Sequence, residues 1–254
     1  MLITMLLFSV NIYSQEINTK AIYKDHFNSG IGLISSTYEM IFTNRESLYV
    51  DRTSDKEKIY EKSNDVNSAY SPKLIGDTHP QFYYRNRLKN KIIFNQTTLR
   101  KEYTIFEEGE LMKWNLINET KIIGKFTCYK ATTEFRGREY TAWYTLEIPV
   151  PFGPRKFGGL PGLIISISDN SNKFSSRLVE ILQYKKAHQE SIFTSYSDMS
   201  VISYDSFKQS FCEDLKKFEK ILISKMPRGN TLVSSSIGLG SDENLEIFEF
   251  TCDN

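Results

Sequence analysis

The sequence predicts a mainly β protein: a curved antiparallel sheet, or a partly closed barrel, with one C-terminal amphipathic helix packed on it. Three observations predict it. Aromatic residues make up 13% of the 254 residues, with 15 Tyr and 17 Phe, and flat rings suit a pleated surface. Short runs rich in Tyr, Phe, Ile and Thr recur between turn residues from 81 to 148. The period changes to a helical one once, where Phe207, Phe211, Leu215, Phe218 and Leu222 form a single apolar stripe.

The elements follow in order. Residues 1–14, MLITMLLFSVNIYS, hold an apolar run that ends in Asn11 and the small Ser14. This is the pattern of a secretory signal, too short to span a bilayer. It lacks a Lys or Arg before the run, and the competing reading is a buried N-terminal strand. The remainder, 15–254, reads as one domain with a flexible loop near 53–80, rich in Ser, Asn, Asp and Lys. Residues 38–51 suggest a hairpin around Asn44-Arg45-Glu46. QFYYRN, KIIFNQTT, EYTIFEE and LMKWNLIN read as strands, the last with Met112, Trp114 and Leu116 on one face.

FTCYKATTEF and REYTAWYTLEI make a hairpin around Arg136-Gly137-Arg138. Strands 163–168 and 173–183 follow, joined by Asp169-Asn170-Ser171-Asn172. Asp205 or Ser206 is the expected helix cap, and Pro227-Arg228-Gly229 the stop. NLEIFEF reads as a last strand. These connections are too short for parallel crossovers, so antiparallel order is expected.

Between the hairpin and the next strand lies EIPVPFGPRKFGGLPGLIISI. Pro149, Pro151, Pro154 and Pro161 fix φ and remove donors, so no regular central strand runs through them. Gly153, Gly158, Gly159 and Gly162 permit positive φ and close backbone approach. The stretch is an ordered bend, with Leu160 as a plug into the core. It is either a tight corner of a curved sheet or a ligand- or partner-binding loop.

Gly159-Leu160-Pro161-Gly162-Leu163-Ile164 reads GLPGLI. Upstream stand WNLINETKIIG, then Gly124, Cys128, Lys130 and Ala131, then Phe135, Gly137 and Arg138. Ala142 to Thr145 reads AWYT, Glu147 to Pro149 reads EIP, and Gly153 to Gly158 reads GPRKFG. On these motifs the region from Trp114 to about Asp169 resembles the GLPGLI family of Bacteroidetes envelope proteins, a family of unknown biochemical function. The resemblance implies export, to the periplasm or cell envelope, and makes Cys128 a family feature. It carries over no catalytic residue.

Chemistry is sparse. Net charge is +1, which argues against nucleic acid as the main partner. His26, His79 and His188 lack metal-ligand spacing, and no metal or cofactor is expected. GLGSD at 238–242 lacks the lysine of a phosphate loop. Glu107, Glu108 and Glu110 read as a solvated hairpin end, and Arg136, Arg138, Arg155 and Lys156 as solvated strand ends or an anion site.

Trp143 and Tyr144 face opposite sides of a strand, one as core and one as a contact residue. Of the three cysteines, Cys212 with Cys252 is the favoured disulfide among three pairings, and the resemblance is consistent with it. Candidate motif or binding residues are Cys128, Arg138, Trp143, Pro154, Phe157, Gly159, Leu160, Pro161 and Gly162.

The expectation is a non-enzymatic exported binding protein. Its partner would be an outer-membrane protein or an apolar ligand such as a lipid, with no transmembrane span. A thiol-dependent or hydrolytic enzyme using Cys128 is the alternative.

Overall fold

A computed structural model describes residues 18–28, 33–53, 80–97, 102–109, 111–184 and 190–225. The expected signal at 1–14, most of the loop near 53–80 and the last strand lie outside them. So do His79, His188, Pro227 and the GLGSD stretch.

A first antiparallel meander comprises β1 (Asn18–Asn28), β2 (Leu33–Phe42), β3 (Glu46–Asp51), β4 (Phe82–Asn86), β5 (Lys91–Thr97) and β6 (Glu102–Glu108). A second comprises β7 (Asn115–Ile123), β8 (Phe126–Phe135), β9 (Arg138–Thr145), β10 (Leu163–Asp169) and β11 (Phe174–Tyr184). β1 pairs with β11 and fuses the two. Helix α1 (Glu190–Ser197), the two-residue β12 (Ile202–Ser203) and helix α2 (Tyr204–Lys225) complete the order. The sheet runs β12-β6-β5-β4-β3-β2-β1-β11-β10-β9-β8-β7, and β12 joins β6 in parallel.

Chain geometry requires this sheet to curl. β6 and β7 are ten strand spacings apart in the sheet order, about 48 Å if flat. Yet the chain from Glu108 to Asn115 reaches at most about 24 Å. The edges must therefore approach each other, though no β6–β7 pairing is formed among the described residues. The expected curved antiparallel sheet is what forms, an open wrap and not a closed barrel.

Three local expectations are corrected. Residues 111–114 are not strand, because this connection must cross between the sheet's two edges. Met112 is buried, Trp114 half-buried and Leu116 exposed, so they do not share a strand face. Ser203, not Asp205 or Ser206, caps α2: its Oγ accepts the Ser206 N–H at 3.1 Å, because the strand residue before the helix has the extended backbone a cap needs. Helix α1 has no counterpart among the expected elements.

α1 covers one face of the first meander. Phe193 packs near Tyr84, and Tyr196 meets Phe82 edge-on at 4.7 Å. α2 places its stripe on the core as expected, with Phe207 and Phe211 buried and Leu215 partly so. The Tyr103 hydroxyl donates to Asp214 on α2 at 2.9 Å. No helix among the described residues is long and apolar enough to cross a membrane.

Candidate binding cleft

The Gly/Pro segment fills the inside of the wrap. Arg155 is buried and donates from Nε to the buried Asp25 on β1 at 2.8 Å. Its guanidinium lies 4.6 Å from the Phe27 ring and 5.6 Å from Phe174, and reaches the Tyr38 and Tyr83 hydroxyls at 3.3 and 3.2 Å. Lys156 is buried 3.5 Å from the Phe94 ring on β5 and pairs with Glu107. Phe157 stacks with Phe174 and meets Phe135 at the end of β8. β5 and β8 are eight spacings apart, about 38 Å along a flat sheet, so one short segment touches both only inside a curl.

The two charged interior groups are thus paired and hydrogen-bonded, which is what burial demands of a charge. They are not solvated strand ends, and Glu107 is not a solvated hairpin end. The buried Glu107 also accepts from Arg136 in the β8–β9 turn, which ties the two edges of the sheet together.

Glycines serve this segment mostly by absence of bulk. A Cβ on Gly162 would stand 1.9 Å from the Thr145 carbonyl oxygen, and one on Gly158 2.7 Å from that of Pro151. Of the four glycines in the segment, positive φ occurs at Gly159, at 91°. Arg155 itself has φ 52°, an uncommon state for a side-chain-bearing residue, held here by its ion pair and ring contacts. The tight-corner expectation describes Gly162 well, and Leu160 is buried as a plug.

Where the segment leaves the interior it builds a cleft of about 450 Å³. One wall is the β4–β5 hairpin, with Arg85, Arg87 and Lys91. A second is the crossing connection, with Met112, Lys113 and Trp114. The floor is Phe152 with Gly158, Gly159, Leu160 and Pro161. The Trp114 indole donates to the Gly158 carbonyl at 2.8 Å and so fixes one wall to the floor. Arg85 donates to the Lys156 carbonyl and does the same for the other. Desolvation holds the Arg85 pKa down to about 10, against the opposing pull of Glu107.

The expected site residues divide. Gly159, Leu160 and Pro161 line the cleft. Pro154, Phe157 and Gly162 are buried elsewhere in the segment. Trp143 and Tyr144 are both buried, in different clusters, so neither is a free contact residue. Lys121 Nζ caps the Trp143 ring at 3.8 Å. Arg138 opens β9 opposite Phe135.

Cys128 is a buried free thiol whose pKa burial pushes up, the opposite of the lowered pKa that marks a reactive cysteine. Cys212 is disulfide-bonded, and its expected partner Cys252 lies outside the described residues. His26 bonds Ser35 at 2.8 Å, and no metal-binding group of three is found among the described residues.

Sequence reasoning missed Arg85, Arg87, Lys91, Lys113 and Trp114 as site residues. The usable signal was RNRLKNK at 85–91, four cations in one tight hairpin.

Fold and cleft together define a class: a wrapped antiparallel sheet, plugged by its own Gly/Pro segment, with a basic aromatic cleft at the plug's exit. Residues 135–166, from the β8–β9 turn into β10, match the family model Porph_ging, described as a protein of unknown function. No curated protein matches the chain. Among solved structures, PNGF-II is similar in two crystal forms, each at 15% identity and a TM-score of 0.51. Those alignments cover 76% and 77% of this chain but 32% of PNGF-II, so the likeness is one of fold over about a third of that protein. An uncharacterized conserved protein from Thermus thermophilus aligns at 7% identity and a TM-score of 0.38, over 75% of this chain and 91% of its own.

Proposed function

We propose that the chain is an exported cell-envelope protein that acts by binding, and that the cleft is where it binds. The cleft carries the reading. It joins an aromatic wall, cationic groups and the exposed face of Gly159 and Pro161 in a volume suited to a small ligand or a partner's side chain. The apolar segment at 1–14 and the GLPGLI resemblance support export.

The other readings find less support. An acyl chain inside the wrap would have to displace Phe152, Phe157 and the Arg155–Asp25 pair. A thiol enzyme would need a nucleophile other than the buried Cys128.

Native mass spectrometry of the protein purified from a bacterial envelope tests both halves. The reading expects a mature chain beginning at Gln15, with extra mass that denaturation releases or with a cross-linkable envelope partner. A chain retaining residues 1–14 in the cytoplasmic fraction would remove export. A bare mass with no cross-linked partner would remove binding.

A further inference from the structure

Cations elsewhere in the described structure are commonly neutralised. Lys20, Arg52, Lys130, Arg136, Arg155 and Lys156 each pair with a carboxylate. The cleft is different. Its lining holds Arg85, Arg87, Lys91 and Lys113 and no acidic residue. Among the described residues none of these four is within ion-pair distance of a carboxylate. Lys91 lies opposite Glu108 in register but sits 4.6 Å over the Phe106 ring. Glu110, which follows Gly109 in sequence, is outside the described residues.

Like charges gathered in one concave site repel each other, and a multiply charged anion relieves that repulsion. Asn86 and Asn90 add neutral polar groups to the same wall. The aromatic and apolar side, where Trp114 and Leu111 are partly exposed, gives the body of a ligand a surface to lie on.

We infer that the cleft takes a small acidic ligand, one whose carboxylate or phosphate groups meet Arg85, Arg87, Lys91 and Lys113 while its body lies against Trp114. This rests on the reading of the cleft as the binding site and names the ligand's chemistry. Guanidinium groups suit both anions, because each offers paired oxygens to a planar fork of N–H donors. Arg85 has a further reason to favour an anion: it is desolvated, and a nearby negative charge raises its pKa again.

Isothermal titration calorimetry of the purified chain tests this with three probes: inositol hexakisphosphate, citrate and neutral myo-inositol. Saturable binding is expected for at least one anion, weakening as salt rises, with no binding of myo-inositol. The anion that binds assigns the group as phosphate or carboxylate. Arg87 and Lys113 are exposed, so R87A/K113A is expected to fold and to weaken binding at least tenfold, while K173A, at an exposed residue outside the lining, leaves it unchanged.

Absence of saturable binding by either anion overturns the inference, as does binding that R87A/K113A leaves intact. Myo-inositol binding that is lost in R87A/K113A also overturns the acidic preference, yet leaves the cleft standing as the binding site.

Discussion

A Cβ at Gly162 would stand 1.9 Å from one backbone oxygen, closer than any side chain can tolerate. G162A should therefore cost about 3 kcal/mol or more in chemical denaturation, because backbone and not a flexible side chain must move. Cys128 yields a second expectation at this scale. Its thiol is fully buried and its pKa raised, so alkylation at neutral pH should be slow in the native protein and rapid in denaturant. Rapid native labelling would return Cys128 to the list of reactive groups. These two residues stand out in the sequence for different reasons. The glycine's role was legible because Gly and Pro punctuate geometry locally. The cysteine's was not, because burial is a long-range property.

At the scale of elements, the hairpins were legible from alternation and turn residues. The hairpin expected around Arg136-Gly137-Arg138 forms, and its turn between β8 and β9 is the pair Arg136, with φ 50°, and Gly137, with φ 68°. The crossing connection at 111–114 was not legible, since an apolar residue at every second position also describes a strand. Nor was the fate of Arg155 and Lys156: their partners Asp25 and Glu107 are 130 and 49 residues away in sequence. The same blindness hid the cleft, whose walls come from three separate stretches. Glu107 is the element-level test. It joins β6 to the β8–β9 turn and to the inner segment, so E107Q should loosen both. Hydrogen exchange should rise around residues 136–140 and 154–157 while β1–β3 stay protected.

For the whole molecule, the wrap is held by a polar interior as well as an apolar one. Tyr23, Tyr38 and Tyr49 are fully buried, and burial raises each hydroxyl's pKa above its ordinary value. A group that releases its proton less readily when folded loses stability as pH rises past the unfolded value. Stability from these tyrosines is thus complete below about pH 10 and declines above it. Thermal unfolding followed by circular dichroism should show a midpoint that drops above about pH 10, and a flat profile there would place the hydroxyls in solvent.

The wrap depends on the Gly/Pro segment being clamped inside the sheet by Arg155 on Asp25. A double-mutant cycle of R155M and D25N, read by urea denaturation, measures that clamp. Each single change should cost about 3–5 kcal/mol by stranding a buried partner, and the double mutant should cost clearly less than their sum. Single mutants near wild-type stability, or costs that simply add, would mean that the segment is not held where the structure puts it.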